Sequence, residues 1–324
     1  LGAGLTGCQR HPGAAGAPTG QVDFEHGVAS GDPLADRVIL WTRVSPAPGR
    51  MGEPGRVSWW IAAEASARER VAEGEAQALP ARDFTVKVDA EGLAPGRVYF
   101  FGFEVEGVAS PVGRTKTLPA GDVSQVRLAF ASCSNYPQGF FNAYAVIAQR
   151  DDLDAVLHLG DYIYEYGEGE YGQGADLGRA PDPRHEAVTL EDYRRRHALY
   201  KRDPDLQAAH AAHPWITVWD DHESANNSWK GGAKNHDPDR EGSWTDRKLA
   251  AIRAYYEWMP VRELPTGLYR RFRFGSLLDL LMLDTRLHAR DEQGPPDRAV
   301  ARDPDRQLLG EDQAGWLRDA LVDS

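Results

Sequence analysis

The first third of the chain has the hydrophobic pattern of short β-strands. The segments RVILWTRV, VSWWIAA, FTVKV and VYFFGFEVEG are apolar or alternate between apolar and polar residues, and turn residues such as those at 31–33 and 95–96 separate them. Strands of this length and spacing predict an antiparallel β-sandwich of the immunoglobulin or fibronectin type. No titratable side chains gather within this segment, so we interpret residues 23–119 as an accessory domain.

The pattern changes after residue 125, where apolar strands alternate with helices. The segments RLAFASC and AVLHLGD predict two strands, and residues 140–150 between them have helical spacing. This βαβ unit predicts parallel strands joined by a right-handed crossover. Thr189 and Asp192 predict a capping box for a helix that starts near Leu190. Further elements follow: a strand in WITVWDDHE, a helix over 245–259 that Pro260 ends, strands in YRRFRFG and LLDLLMLDTR, and a helix in EDQAGWLRDALVDS. We therefore predict an α/β domain over residues 126–324.

Polar side chains follow four of the predicted strands. They are Cys133, Asp161, the segment 220–222 (Asp-Asp-His) and Asp284. In open α/β sheets, ligands bind beyond the carboxyl ends of the strands, so we expect these groups to lie close together. Carboxylates at such short distances repel one another unless a positive charge lies among them. The arrangement therefore predicts a metal cluster, which also enables an acidic protein to bind an anion.

The types of ligand narrow the choice of metal. The thiolate of Cys133 favours Fe or Zn. Tyr162, Tyr164 and Tyr166 follow Asp161 closely, and a phenolate oxygen is a good ligand for a hard trivalent ion such as Fe(III). The carboxylates suit Ca²⁺, Mg²⁺ or Mn²⁺. The residues therefore predict a mixed site, with one iron beside one or more hard divalent ions.

His222 comes directly after the acidic pair in the sequence. A histidine beside a metal centre can be a ligand, a general acid for a leaving group or a stabiliser of charge. The chemistry that suits this set of groups is phosphoryl transfer or a related ester hydrolysis.

Composition limits the class of protein. The chain has 324 residues, and 37 Lys and Arg stand against 49 Asp and Glu, a formal net charge of −12. This balance lacks the basic character of a nucleic-acid-binding protein, so a nucleic acid is expected at most as a substrate. The sequence contains no run of about 18 apolar residues, so it predicts no membrane-spanning helix. With two cysteines in all, the chain is not a disulfide scaffold.

The N-terminal segment predicts an exported protein. Residues 1–22 are rich in Gly, Ala and Pro, and Leu5-Thr6-Gly7-Cys8 fits a bacterial lipobox, in which the cysteine becomes lipid-anchored. The alternative is that Cys8 is an unmodified cysteine in a loose leader. We expect residues 1–22 to be a leader or tether, and the protein to be in the periplasm, at the cell surface or outside the cell.

Several motifs, in the same order and spacing, resemble the PhoD-type alkaline phosphatases within the calcineurin-like metallophosphoesterases. They are FASCSNYPQGFFNAY, HLGDYIYEYG, TLEDYRRRHALYKRDPDLQAAHAAHPWITVWDDHESANN and LMLDTR, and HGVASGDPLADRVILWTRVSP resembles the N-terminal β domain of that family. The resemblance implies hydrolysis of phosphate monoesters, diesters or both outside the cytoplasm, with one Fe(III) and two Ca²⁺ as cofactors. The expected substrates are small phosphate esters, and we expect a monomer.

The resemblance also implies roles for individual residues. Cys133 matches the iron-ligating thiolate, Asp161 matches the carboxylate that bridges iron and calcium, and Tyr164 matches the iron-bound tyrosinate. Asp221 matches the ligand of the second metal, and His222 matches the catalytic histidine.

Two further residues are candidates for substrate binding. Asn226, or its neighbour Asn227, is expected near the calcium side of the site. Arg286 could bind phosphate through two parallel hydrogen bonds, or it could pair with Asp284.

One motif of the family is missing from this sequence. The resemblance implies a later strand that ends in Asp and His and supplies further iron ligands, and nothing after Asp284 matches it. We therefore expect a β-sandwich N-terminal domain followed by an α/β metallophosphoesterase sandwich that is incomplete at its C-terminus. The alternatives are a phospholipase D-like phosphodiesterase on the same scaffold, or a non-catalytic fragment or degenerate paralogue that binds a partner.

Overall fold

The computed structural model describes residues 22–46, 49, 55–294 and 299–324. The strands within these ranges are β1 (Val28–Gly31), β2 (Arg37–Arg43), β3 (Gly55–Ala62), β4 (Arg70–Ala78), β5 (Thr85–Glu91), β6 (Val98–Val105), β7 (Val108–Ala109), β8 (Gly113–Lys116), β9 (Leu128–Ala131), β10 (Ala155–His158), β11 (Pro214–Thr217), β12 (Arg270–Phe274) and β13 (Leu278–Met282). The α-helices are α1 (Asn142–Ala148), α2 (Leu190–Lys201), α3 (Pro204–Ala212), α4 (Pro238–Glu241), α5 (Trp244–Trp258) and α6 (Gly310–Val322). Cys8 lies outside the described residues.

The largest sheet joins strands from both predicted domains. Its strand order is β5-β2-β1-β11-β10-β9. The strands β1, β11, β10 and β9 are parallel to one another, whereas β2 is antiparallel to β1 and β5 is antiparallel to β2. Ser30 of β1 lies opposite Pro214 of β11, and Val156 of β10 lies opposite Ala129 of β9. The predicted parallel βαβ unit is therefore confirmed in β9, α1 and β10, and three strands of the N-terminal region extend the same sheet.

The remaining N-terminal strands form a second, antiparallel sheet. Its order is β4-β3-β6-β7, and β8 pairs with β6. A hydrophobic core connects this sheet to β2 and β5 through buried side chains that include Val38, Leu40, Val57 and Phe101. The prediction of a β-rich N-terminal region is confirmed, but the pattern gave no sign that β1, β2 and β5 continue the sheet of the α/β region.

The structure confirms the predicted start of α2, and α5 lies within one residue of its predicted bounds. Thr189 accepts a hydrogen bond from the backbone N–H of Asp192, whose side chain accepts from the backbone of Thr189, so α2 has the predicted capping box. The helix α5 ends at Trp258, two residues before Pro260. The helix α2 packs against α5, and α1 packs against α3. Large aromatic side chains, among them Trp258, are completely buried in this region.

In the part of the chain that the structure describes, no helix is both long enough and apolar enough to cross a bilayer.

Candidate metal centre

Three neighbouring parallel strands position the candidate site. Cys133 follows β9, Asp161 follows β10, and the segment 219–222 follows β11, so these residues lie at one edge of the six-stranded sheet. The fourth predicted strand end differs, because β13 pairs with β12 in a separate two-stranded sheet. The loop after β13 nevertheless reaches the site through Arg286.

Asp161 is at the centre of the group. One of its carboxylate oxygens, Oδ2, is 3.4 Å from the Cys133 Sγ and 3.2 Å from the Tyr164 hydroxyl. The other oxygen, Oδ1, accepts a hydrogen bond of 3.4 Å from the backbone N–H of His222. The structure therefore brings together the three residues that match the iron ligands of the family.

The backbone at this edge has an unusual conformation. Cys133 and Asp161 have φ values of 56° and 54°, in the left-handed region that residues other than glycine rarely adopt. Such a conformation costs about 1–3 kcal/mol per residue and persists where the surroundings enforce it. Two hydrogen bonds hold the loops together, from the Cys133 N–H to the Gly160 carbonyl at 3.2 Å and from the Ser134 N–H to the Asp161 carbonyl at 2.8 Å.

Gly160 enables the loop after β10 to approach the loop after β11. Its φ is 106°, and a Cβ atom at this position would lie 2.4 Å from the backbone nitrogen of Asp220. Any larger residue would therefore separate the two loops.

Asp221 and His222 complete the group on the side of β11. One ligand atom from each of Asp161, Asp221 and His222 lies within 4.8 Å of the others, close enough for a metal ion to fit among them. The His222 Nε2 is 4.0 Å from the Asp221 Oδ2. The backbone N–H of Asn227 donates to the same oxygen at 2.5 Å. The Tyr164 ring stacks on the His222 ring with centroids 4.3 Å apart.

Glu165 orients the histidine. Its side chain is completely buried, and its Oε2 accepts a hydrogen bond of 2.7 Å from the His222 Nδ1. Its Oε1 accepts from the Asn226 backbone N–H at 2.6 Å and from the Asn235 side-chain amide at 3.2 Å. Burial lowers the pKa of His222, but the hydrogen bond and charge of Glu165, together with the charge of Asp221, raise it to about 9. Sequence reasoning missed Glu165, whose one signal was its position four residues after Asp161.

Glu223 is a second buried acid that sequence reasoning missed. It is 2% exposed. Its carboxylate accepts from the backbone N–H groups of Asp161 at 3.1 Å, Tyr162 at 2.6 Å and Asp220 at 2.8 Å. Burial and the charge of Asp161 raise the pKa of Glu223 to about 8, against the effect of the three N–H donors.

Arg286 lies at the site and pairs with the acidic segment after β11. Its Nε is 2.5 Å from the Asp220 Oδ1, and its Nη2 is 3.2 Å from the Asp221 Oδ1. The Asp284 carboxylate instead accepts the backbone N–H of Arg286 at 2.9 Å. The Nη1 of Arg286 is buried and has no hydrogen-bond partner among the described residues. Asn226 reaches the site through its backbone N–H, which donates to Glu165.

The donor set fits a metal ion. Burial raises the pKa of the Cys133 thiol and of the Tyr164 phenol, and the negative charge of Asp161 raises both further. Both groups would therefore keep their protons beside Asp161 in the absence of a cation. A bound cation reverses this effect, because it favours the thiolate and phenolate forms.

Two family models match the chain. The model described as PhoD-like phosphatase matches residues 128–324, and the model of the N-terminal domain of PhoD-like phosphatases matches residues 9–119. The sequence is 44% identical to alkaline phosphatase D of Bacillus subtilis (strain 168), in an alignment of 321 residues that covers 93% of this chain and 54% of that protein.

A solved structure described as "Structure of PhoD" superposes with a TM-score of 0.85 at 42% identity, and the match covers 96% of this chain and 61% of that one. The chain thus spans about half the length of the curated relative that it matches. The matches confirm the resemblance seen in the motifs: the chain belongs to the PhoD-like phosphatase family.

Proposed function

We propose that this protein is a metal-dependent phosphoesterase that hydrolyses phosphate monoesters, diesters or both. The observation that carries the proposal is the convergence of Cys133 and Tyr164 on one oxygen of Asp161, with Asp221 and His222 beside it. Family membership and the 44% identity to an alkaline phosphatase support the same activity. No described contact favours a phospholipase D-like or a non-catalytic function.

The donors divide into two sets by their chemistry. Cys133, Asp161 and Tyr164 would hold Fe(III). The thiolate and the phenolate are the ligand types that favour iron, and the carboxylate lies beside them. Asp161 and Asp221 would hold Ca²⁺ through carboxylate oxygens, and the second Ca²⁺ is implied by the family alone. When bound, such ions act as Lewis acids toward the oxygens of a phosphate group.

His222 would serve the leaving group. Because its Nδ1 is bonded to Glu165, its Nε2 is the ring atom left to face the substrate. A proton at Nε2 can be donated to the departing ester oxygen, and Glu165 stabilises the charged imidazolium before that transfer. His222 therefore would act as the general acid, with Glu165 as the residue that orients it.

Arg286 and Asn226 would contribute to substrate binding. The buried Nη1 of Arg286 lacks a partner within the described ranges, so it is a donor that a phosphate oxygen could satisfy. We assign Asn226 to the calcium side, next to Asn227, whose N–H is bonded to Asp221.

The N-terminal region would be an accessory sandwich of the immunoglobulin or fibronectin type. The hydroxyl of Tyr99 accepts a hydrogen bond of 2.8 Å from the Ala94 N–H, five residues upstream, as in the tyrosine corner of such modules. We propose residues 23–119 and 126–324 as the two domains, joined through the pairing of β1 with β11 in one sheet, and 1–22 as a leader. An exported monomer, with Cys8 as a candidate lipid anchor, completes the proposal.

The test is a joint measurement of metal content, visible absorption and hydrolysis. The protein is loaded with Fe(III) and Ca²⁺, and turnover is measured with p-nitrophenyl phosphate and bis(p-nitrophenyl) phosphate. We expect bound iron, a visible charge-transfer band and hydrolysis of at least one substrate. Tyr164→Phe should weaken the band, whereas Tyr171→Phe, at an exposed tyrosine nearby, should leave it unchanged. A protein that binds metal but hydrolyses neither ester would contradict the proposed function, and an iron-free, colourless protein would contradict the iron assignment.

A further inference from the structure

Glu223 connects the two loops that carry the candidate metal ligands. We propose that it is a positioning residue that fixes the separation of Asp161 and Asp221, so that both metal positions depend on its carboxylate. The inference rests on the proposed function, because it concerns the same metal site.

Both oxygens of Glu223 are used for this connection. Oε1 accepts from the backbone N–H of Tyr162 at 2.6 Å, and Oε2 accepts from the N–H groups of Asp161 at 3.1 Å and Asp220 at 2.8 Å. Two of these donors belong to the loop after β10, and the third precedes Asp221 in the loop after β11. One side chain therefore sets the relative position of two peptide segments.

The environment of Glu223 differs from that of the buried acids that pair with arginine. Glu257, which is 4% exposed, pairs with Arg194 and Arg253, and Asp203 pairs with Arg179. Glu223 forms no ion pair with any Lys, Arg or His in the described part of the chain. A buried carboxylate that is satisfied by backbone N–H groups alone serves to hold the backbone, since it compensates no cation.

The loops after β10 and β11 depend on the hydrogen bonds to Glu223, because the two backbones are in direct contact. Gly160 has no Cβ, and the atom would lie 2.4 Å from the Asp220 nitrogen. Asp161 has its left-handed conformation next to this contact, and the Ser134 N–H binds its carbonyl on the other side. A change in the Glu223 bonds would therefore move Asp161 and, through Ser134, the loop of Cys133.

The variant Glu223→Gln tests the inference with little change in shape. The amide group of glutamine has one oxygen, so at least one of the N–H donors would face an NH₂ group. We expect the affinities for iron and for calcium to fall together, each by roughly 10- to 100-fold. The charge-transfer band of the iron-loaded variant should also shift, because the ligand geometry changes.

Two variants serve as controls. Glu257→Gln removes a buried carboxylate from α5 that touches none of the site residues, so it should lower thermal stability and leave both metal affinities unchanged. Asp221→Asn removes one ligand, so it should weaken calcium binding much more than iron binding. Metal affinities are measured by titration of the metal-free full chain, and circular dichroism checks that each variant is folded.

Amide hydrogen exchange of the metal-free wild-type protein tests the hydrogen bonds to Glu223 without a variant. The N–H groups of Asp161, Tyr162 and Asp220 should exchange slowly, and the same groups in Glu223→Gln should exchange faster. Fast exchange in the wild type, or unchanged metal affinities in Glu223→Gln, would overturn the inference. A wild-type protein that binds no metal while these amides are protected would instead contradict the proposed function.

Discussion

His222 and His26 show how two regions of the molecule shift the pKa of an imidazole ring in opposite directions. His222 lies at the edge of the sheet, where a buried carboxylate accepts from its Nδ1 and the surrounding acids raise its pKa to about 9. His26 lies in an aromatic layer against Trp258, with ring centroids 5.0 Å apart, and neither ring nitrogen has a hydrogen-bond partner among the described residues. Burial, and then the positive charge of Arg43, lowers the pKa of His26 to about 2.

The difference lies in the partner and in the depth of burial. His26 is 2% exposed and the His222 side chain is 12% exposed, and burial alone favours the neutral imidazole in both. At the edge, Glu165 outweighs burial and favours the protonated ring. In the aromatic layer no carboxylate of the described residues pairs with the ring, so His26 packs as a flat apolar group. The comparison teaches that a buried carboxylate beside the ring, Glu165, reverses the direction in which burial shifts the pKa of a histidine.

The largest expected effect is on turnover. His222→Ala should lower turnover by ~10²- to 10⁴-fold, because the leaving group loses its proton donor. Metal content should remain close to that of the wild type. In the paired variant His26→Ala we expect the opposite result, with turnover of the folded protein retained and the free energy of unfolding lowered by about 2–4 kcal/mol, because a buried ring is deleted. Equal loss of turnover in both variants would refute the distinction between the two regions.

The second expected effect concerns the partner of His222. Glu165→Gln should lower turnover by about 10- to 100-fold, because the ring loses the carboxylate that orients it and stabilises its charge. The alkaline limb of the pH–rate profile should also move to lower pH, since the imidazolium that donates the proton is no longer favoured by a carboxylate. A matched control is Glu168→Gln, at a carboxylate that pairs with the exposed Arg184 on the surface. Turnover equal to that of the wild type in Glu165→Gln would show that the bond to His222 has no catalytic consequence.

The third effect is on stability at low pH. The folded pKa of His26, at about 2, lies below its ordinary value of 6.5, so the unfolded chain binds a proton that the folded chain does not. The free energy of unfolding should therefore fall as the pH drops below about 6.5, by about 1.4 kcal/mol per pH unit for this histidine. His26→Phe removes the group, so its urea-unfolding free energy should decline less steeply than that of the wild type. Identical slopes would mean that His26 does not titrate on unfolding.

The smallest effect is a loss of stability that leaves the site intact. Thr189→Ala removes the capping box at the start of α2 and should lower the free energy of unfolding by about 1 kcal/mol. Because no residue of the cap touches the metal ligands, metal affinity and turnover should equal those of the wild type. Altered metal binding would show that the candidate metal site is sensitive to any loss of stability. That result would weaken the distinction between the site and the rest of the molecule.

Several local elements, and the convergence of the candidate ligand residues, could be predicted from the sequence. Thr189, Asp192 and Pro260 mark helix boundaries through interactions with nearby backbone, which a local pattern encodes. The candidate ligands could be placed together because Cys133 and Asp161 follow apolar strands, and neighbouring parallel strands bring their ends to one edge. The precise roles of these residues remain predictions.

The residues that orient the ligands could not be predicted. Glu165 and Glu223 lie in the same motifs as the ligands, but their function depends on partners about 60 positions away in the chain, such as Glu223 with Asp161. The periodicity of apolar residues along the chain does not predict a contact between residues so far apart. The same reason explains why the sharing of the large sheet was missed, since the pairing of β1 with β11 leaves no mark on the pattern of either strand.

The pairing of β1 with β11 has a consequence for synthesis of the chain. Ser30 lies opposite Pro214, a residue more than half the chain away. While the ribosome makes the intervening segment, β1 has β2 on one side and an open edge on the other, so the N-terminal strands are exposed to unwanted pairing during that interval. Completion of the sheet that supports the active edge must therefore await the emergence of β11, and pauses in translation before that point would extend the vulnerable period.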